Sequence, residues 1–235
     1  MMPLVLLPGM LGNRSLWSEA IDVMSSHKRQ RPVTHHVRTD QERSVTNAAH
    51  AILAHAPERF ALAGHSLGGI LALEVVRQAP TRVDRLALIS SSAAGPSHAQ
   101  RSAWAELSRR VRAGQFEAVV AELACSMLPT SRQADRSLLT HSSQMAISVG
   151  PEGMLRQLDI QANRPEYFDT LAAIDVPTLI VSGDLDRVAP VARQDELVAG
   201  IRDSRHVIMK RCGHLPPLEQ PDALARELSV WLYEM

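Results

Sequence analysis

The stretch of this sequence with the clearest chemical meaning is a serine between two glycines, Gly64, Ser66 and Gly68. A short apolar run at residues 59–63 predicts a buried strand before it, and residues 70–79 have helical spacing after it. Such an abrupt strand–helix junction places Ser66 at the tip of a tight turn, in a sparsely populated backbone conformation. Larger side chains at the two glycine positions would collide across that turn. The pattern and its context predict a nucleophilic serine at a strand–turn–helix elbow.

The backbone amides that begin the helix after Ser66 add a second chemical feature. The first amides of a helix lack intrahelical partners and lie at the positive end of the helix dipole. They suit the negative oxygen that forms when a serine hydroxyl attacks a carbonyl group. We therefore expect the N–H of Leu67 to form part of an oxyanion hole.

A serine hydroxyl needs a nearby base, and that base needs an acidic group to orient it. In an open parallel sheet such groups belong on loops beyond the carboxyl ends of the strands. Of the ten histidines, His214 fits this demand best because it directly follows the last predicted strand. The loop after the preceding strand offers two carboxylates, Asp184 and Asp186, and the residues alone leave both open.

Four stretches carry a resemblance to a known family, and together they extend over nearly the whole chain. They are Leu7-Pro8-Gly9-Met10, Gly64-His65-Ser66-Leu67-Gly68-Gly69, Gly183-Asp184-Leu185-Asp186 with Pro190, and Gly213-His214 with Glu219-Gln220-Pro221. With these stretches the sequence resembles the α/β-hydrolase family, particularly small bacterial esterase-like members with a short helical lid. The four stretches are specific for the fold and only weakly specific for the substrate.

The resemblance implies roles for two further groups. In this family the acid stands three residues after the glycine that ends its strand, which selects Asp186 and leaves Asp184 as a turn residue. The loop after the first strand supplies a second oxyanion amide, and this role maps to Met10. Many relatives carry His-Gly in that loop where this chain has Pro8-Gly9, and the amide is still available. The implied catalytic triad consists of Ser66, His214 and Asp186.

The remaining pattern predicts the elements that position these groups. Strands alternate with helices in the core, which favours an α/β fold with a mostly parallel six-stranded sheet flanked by helices. The strands are expected at residues 3–7, 32–38, 59–63, 83–91, 176–182 and 206–209. The core helices are expected at residues 15–26, 43–55, 70–79, 190–199 and 222–233. The resemblance implies that the first strand lies inside the sheet, between the second and the third, because the family's usual two initial strands are missing.

A different pattern occupies residues 97–170, which have no strand signal. Helices are expected there at residues 99–113, 115–128, 133–148 and 152–162. We therefore expect an α/β-hydrolase core over residues 1–96 and 171–235, with an all-helical lid over residues 97–170. This lid should fold over Ser66 and leave a mostly apolar cavity beneath it. The residues expected to contact a substrate are Leu11, His65, Met127, Met145 and Met154.

Composition excludes several other classes of function. The 25 basic and 25 acidic residues cancel, and aromatic residues make up only 3%, so a nucleic-acid surface is not expected. The two cysteines, Cys125 and Cys212, form no disulfide framework or metal-ligand spacing, and no cofactor or metal is expected. No apolar run approaches the length of a membrane span, and the start of the chain reads as a buried strand. These features favour a cytoplasmic enzyme with a small-molecule substrate, and its oligomeric state stays open.

The function expected from these residues is hydrolysis of a small carboxylic ester through an acyl-enzyme. An alternative keeps the same fold and triad for a lyase, an acyltransferase or a carbon–carbon bond hydrolase. A third alternative is a non-catalytic ligand-binding protein. The serine at the elbow speaks against dehalogenase and epoxide-hydrolase chemistry, because members of the resembled family with those activities use aspartate there.

Overall fold

The computed structural model describes residues 2–27 and 32–234. The core is a six-stranded sheet in the order β2-β1-β3-β4-β5-β6, and all five strand pairings are parallel. The strands are β1 (Leu4–Leu7), β2 (Thr34–His36), β3 (Phe60–His65), β4 (Val83–Ile89), β5 (Thr178–Gly183) and β6 (Ser204–Met209). The α/β architecture and the position of β1 inside the sheet are thereby confirmed, and the sheet is entirely parallel rather than mostly so.

The strands form because short apolar runs can be buried on both faces of a parallel sheet. Every residue of β1, β3 and β5 is buried. The register pairs Leu7 at the end of β1 with Gly64 near the end of β3. The loops that leave these two strands therefore emerge side by side at the carboxyl edge of the sheet.

Helices cover both faces of the sheet. They are α1 (Ser18–His27), α2 (Val45–His55), α3 (Leu67–Gln78), α4 (His98–Arg112), α5 (Phe116–Met127), α6 (Arg136–Asn163), α7 (Phe168–Leu171), α8 (Val191–Gly200), α9 (Pro216–Glu219) and α10 (Pro221–Tyr233). Apolar residues of α2, α3 and α8 pack with one face of the central strands. Those of α1 and α10 pack with the other face. The sheet is thus the middle layer of a helix–sheet–helix sandwich.

The segment between β4 and β5, the helical insert, contains α4, α5 and α6, followed by the short α7. The two helices expected at residues 133–148 and 152–162 form α6, which is broken at Gly150, where φ is 75°. Glycine enters this left-handed region at no steric cost, and Pro151 lacks the N–H that a continuous helix would use. The three long helices share an apolar cluster that includes Val111, Val119 and Met154.

Several boundaries differ from the sequence prediction by a few residues. Strand β5 begins at Thr178 rather than residue 176, since Pro177 has no N–H to give to a neighbouring strand. Helix α3 begins at Leu67 rather than residue 70, because the turn at Ser66 leads directly into it. Strand β2 has only three residues at the edge of the sheet. The first and last residues of the predicted core, Met1 and Met235, lie outside the described residues.

Candidate active site

Ser66 occupies a strained turn between β3 and α3. Its φ of 52° and ψ of −115° lie in a region that a residue with a side chain rarely adopts. A Cβ at Gly64 would collide with the backbone of Gly68, and a Cβ at Gly68 would collide with the backbone of Leu7. Close backbone approach, rather than flexibility, is therefore what requires glycine on both sides of the serine. The turn leaves the serine side chain partly exposed at the carboxyl edge of the sheet.

His214 connects Ser66 to a buried carboxylate. Its Nε2 lies 2.9 Å from Ser66 Oγ, and its Nδ1 lies 2.8 Å from Asp186 Oδ2. The other carboxylate oxygen of Asp186 accepts the backbone N–H groups of Val188 and Ala189, at 2.8 and 2.9 Å. Burial acts to raise the pKa of Asp186, but His214 and the two amides outweigh it and hold the pKa below its usual value. Asp186 is therefore ionised and aimed at the imidazole.

The loop that carries His214 is held by contacts on both sides. The carboxylate of Glu219 accepts the N–H of Gly213 at 2.8 Å and that of Leu215 at 2.9 Å. The N–H of His214 itself donates to the carbonyl of Met127 at the end of α5. Burial raises the pKa of Glu219 despite these two hydrogen bonds. The Glu219 carboxylate thus fixes the backbone immediately before and after His214.

His65 precedes the serine but cannot serve as its base. Its Nε2 donates to the carbonyl oxygen of His214 at 2.7 Å, which leaves the unprotonated nitrogen at Nδ1. Burial, and then the nearby imidazole of His214, lower the pKa of His65 to about 3. The ring is thus neutral at ordinary pH and braces the loop that carries His214.

The two backbone amides expected in an oxyanion hole lie on adjacent elements. Leu67 is the first residue of α3, so its N–H has no intrahelical partner. The loop that contains Met10 passes close to the serine, because a Cβ at Gly9 would stand 3.1 Å from Ser66 Cβ. Leu11 in the same loop has a φ of 61°. The amides of Met10 and Leu67 therefore belong to segments that meet beside the serine.

Two cavities flank these groups. The apolar cavity is lined by residues of the first loop, α5 and α6, among them Met10, Leu11, His65, Met127 and Met145. The polar cleft is lined by Ser66, His214, Trp104, Arg164 and Arg193 together with smaller residues. Four of the five residues expected to contact a substrate thus line the apolar cavity.

Met154 is placed differently from the other methionines. It is fully buried and packs in the apolar cluster of the insert, with Leu155 and Leu158. Its side chain contributes to holding α4, α5 and α6 together. Regular helical spacing did not distinguish a residue inside the insert from one that faces a cavity.

Two buried glutamines that sequence reasoning missed organise the loops of the site. Gln157 on α6 accepts the N–H of Leu11 through Oε1 at 2.9 Å and donates to Thr39 Oγ1 at 3.1 Å. Gln194 on α8 bonds both the N–H and the carbonyl of Ser91, and donates to the carbonyl of Ala189. No sequence motif distinguishes either residue from a solvent-facing helical glutamine.

Over residues 2–27 and 32–234, no three or more His, Cys, Asp or Glu side chains come together in a way that could hold a metal ion. In the same part of the chain, no helix is both long enough and apolar enough to cross a bilayer.

Strand β1 lies inside a parallel sheet, and the polar groups of the site lie on the loops that follow β3, β5 and β6. This combination of sheet order and site position is typical of one class of α/β proteins. The chain belongs to the α/β-hydrolase family, since the family described as "Alpha/beta hydrolase family" matches residues 4–227. The resemblance seen in the sequence is confirmed.

Curated relatives and solved structures agree with this assignment. The chain is 29% identical to a pimeloyl-[acyl-carrier protein] methyl ester esterase of Pectobacterium carotovorum, over 96% of this chain and 92% of that protein. It is 25% identical to an enzyme of the same name from Vibrio cholerae, again over 96% and 92%. The fold is similar to that of a thermophilic esterase from Thermogutta terrifontis, with a TM-score of 0.87, 23% identity and coverage of 99% and 89%. It is also similar to that of an enol-lactonase from Burkholderia xenovorans, with a TM-score of 0.84, 18% identity and coverage of 100% and 92%.

Proposed function

We propose that this protein hydrolyses carboxylic esters and that Ser66, His214 and Asp186 are its catalytic triad. The observation that carries the proposal is the continuous hydrogen-bonded path from Ser66 Oγ through the imidazole to the Asp186 carboxylate. Nucleophile, base and orienting acid stand in the order and at the distances that serine hydrolysis requires. The relatives named as methyl ester esterases support the same reaction class.

The first half-reaction forms an acyl-enzyme. His214 Nε2 takes the proton of Ser66 Oγ while that oxygen attacks the acyl carbonyl carbon. The carbonyl oxygen becomes negative and is stabilised by the N–H groups of Met10 and Leu67. Asp186 accepts the Nδ1–H of His214 and so keeps the unprotonated nitrogen facing the serine. The imidazolium then protonates the departing alcohol, and the ester bond breaks.

The second half-reaction returns the free enzyme. Water gives a proton to His214 and attacks the acyl carbon in the place of the alcohol. The same two amides stabilise the new oxyanion. When the oxyanion collapses, Ser66 leaves with the proton from the imidazolium, and the carboxylic acid product departs.

The helical insert acts in this proposal as a lid that shapes the substrate pocket. Helices α5 and α6 supply the residues of the apolar cavity that face the loop of Met10, including Met127 and Met145. Methionine side chains adapt to ligands of different shape, so the cavity suits a short or medium hydrocarbon part of the substrate. The substrate named for the curated relatives, a methyl ester of a carrier-protein-bound acyl group, has such a hydrocarbon chain.

The proposal is tested by replacing the nucleophile. We expect Ser66→Ala to lower kcat on para-nitrophenyl butyrate on the order of 10⁶-fold, since loss of a triad nucleophile removes covalent catalysis. Ser102→Ala, an exposed serine on α4, is the matched control and should keep wild-type activity. Far-ultraviolet circular dichroism should be the same for all three proteins. Turnover by Ser66→Ala within tenfold of the wild type would overturn the assignment.

A further inference from the structure

Arg164, just after α6, is a buried cation that lines the same cleft as the proposed catalytic serine. Its exposed fraction is only 7%. Its Nε donates to the carbonyl of Ala94 at 3.3 Å, and its Nη1 donates to the backbone and side-chain oxygens of Gln161. All three acceptors are neutral. Over the described residues no carboxylate lies within ion-pairing distance of this guanidinium, and Nη2 makes no hydrogen bond.

The surroundings of Arg164 disfavour its positive charge further. Burial lowers the pKa of Arg164 to about 10, with the charges of Arg101 and Arg193 adding to the effect and Tyr167 opposing it. The group is nevertheless a cation at neutral pH. A buried charge without a partner is strongly destabilising in a folded protein. Such a group is explained if its partner arrives with a ligand.

Arg164 is one of the residues that line the polar cleft, together with Ser66 and His214. The Arg164 guanidinium lies 5.3 Å from the centre of the Trp104 ring. Stacking on an indole and three hydrogen bonds fix the plane of the guanidinium, so its remaining N–H groups are presented in one orientation. Arg193 lines the same cleft and is half exposed, with Glu196 as its ion-pair partner.

We propose that the polar cleft is an anion subsite in which Arg164, assisted by Arg193, binds a carboxylate carried by the ester substrate. The proposal rests on the proposed role of Ser66 and specifies the substrate class for it: esters with a free carboxylate at one end. A guanidinium presents parallel N–H donors that match the two oxygens of a carboxylate. The hydrocarbon part of such an ester fits the apolar cavity on the other side, while the carboxylate neutralises the buried cation.

Matched pairs of substrates test the proposal. The first pair places the charge on the acyl side, para-nitrophenyl hemiglutarate against neutral para-nitrophenyl hexanoate. The second places it on the alcohol side, para-acetoxybenzoate against neutral para-acetoxybenzamide. We expect the wild type to favour the charged member of at least one pair in kcat/KM. Arg164→Gln should lower that preference by about tenfold or more, chiefly through KM, since a hydrogen bond between charged groups is lost.

Three variants separate recognition from structure. Arg193→Gln should weaken the same preference less than Arg164→Gln does, and Arg164→Lys should retain part of it because the charge remains. Arg109→Gln changes an exposed arginine on α4 that pairs with Glu106, and it should leave the preference unchanged. Equal loss on charged and neutral esters in Arg164→Gln would show a purely structural role and overturn the proposal. A wild type without preference in either pair would also overturn it.

A binding measurement distinguishes this proposal from the proposed hydrolysis. Calorimetric titration of the wild type with glutarate should detect binding that Arg193→Gln weakens, even in a protein that hydrolyses no ester. Ser66→Ala should bind glutarate as the wild type does. Failure of the hydrolysis assignment alone would leave these results intact, whereas absence of glutarate binding would overturn the anion subsite. Inorganic phosphate, titrated in parallel, should bind more weakly than glutarate; tighter binding would overturn the assignment to a carboxylate.

Discussion

A single carboxylate, that of Asp186, both builds its own loop and orients the proposed base. Its Oδ1 is occupied by two backbone amides, so only Oδ2 is left for His214. Asp184, two residues earlier, has a different task. Its Oδ1 accepts the N–H of Cys212 at 3.3 Å, which ties the loop after β5 to the loop after β6. Two neighbouring aspartates of the same loop thus serve the orientation of the imidazole and the packing of the backbone.

These different tasks predict different effects of the same substitution. Asp186→Asn should lower kcat by about 10⁴-fold, because an amide N–H facing Nδ1 favours the wrong tautomer of the imidazole. Asp184→Asn should keep most of the activity, because its side-chain oxygen can still accept the N–H of Cys212. Steady-state kinetics on para-nitrophenyl butyrate measure both. Similar losses in the two variants, or the reverse order, would show that Asp186 is not the orienting acid.

At the scale of single residues, the sequence predicted a role where that role depends on a few residues close together in the chain. Ser66 and His214 were expected from short patterns, because a tight turn and a strand-end loop each impose their own residue types. The choice between Asp184 and Asp186 needed the family resemblance, since both follow the same strand. Gln157 could not be expected at all. Its partner Leu11 is 146 residues away, and only the packed structure brings the two together.

At the scale of elements, helix α6 connects the insert to the loop proposed to hold the oxyanion. Besides the Gln157 contact, Asn13 donates to Ser148 at 2.6 Å. Arg156 on the same helix donates to the carbonyl of Asp40, in the loop after β2, at 2.7 Å. The Leu11 N–H therefore has a buried acceptor that comes from a distant element, and Leu11 keeps a strained positive φ. A loop that holds its N–H donor in a fixed position stabilises an oxyanion better than a loop that must reorganise during the reaction.

This connection predicts that Gln157 is a positioning residue. In Gln157→Leu the buried N–H of Leu11 loses its acceptor, so the loop that carries the Met10 amide should shift. We expect kcat to fall by about tenfold, which is less than the 10²–10³-fold loss for complete removal of an oxyanion donor, with little change in KM. Gln144→Leu, an exposed glutamine on the same helix, is the control and should behave as the wild type. A loss that appears only in KM, or only in thermal stability, would contradict a role in positioning the loop.

The elements themselves were largely predictable from apolar runs and helical spacing, and the misses have physical causes. The division that Gly150 and Pro151 predict is confirmed, because the non-helical backbone of Gly150 separates α6 into two helical halves. Met127, Met145 and Met154 look alike in sequence. Packing separates the first two, which line the apolar cavity, from Met154, which is buried in the cluster of the insert.

At the scale of the whole molecule, every proposed catalytic group lies at the carboxyl edge of one sheet, and His65 sits in the middle of that edge. A Cβ at Gly9 would stand 2.7 Å from its Nδ1, and its Nε2 bonds to the loop of His214. Only 2% of the residue is exposed, and over the described residues Nδ1 has no hydrogen-bond partner. Protonation would place a cation in this packed region, next to a second imidazole. The folded protein consequently excludes the proton that the unfolded chain would accept.

This exclusion predicts how stability depends on pH. The pKa of His65 is about 3 in the folded protein and 6.5 in a free chain, so between these values only the unfolded chain binds the proton. The contribution of His65 to the free energy of unfolding is complete above the unfolded pKa and is lost as the pH falls, at about 1.4 kcal/mol per pH unit.

His65→Gln removes this titration while its amide can still donate to the carbonyl of His214. Between about pH 4 and pH 6 its free energy of unfolding, measured by urea denaturation, should fall less steeply with decreasing pH than that of the wild type. His50→Gln, an exposed histidine on α2, should retain the wild-type slope, and an equal slope in His65→Gln would show that His65 accepts a proton in the folded state.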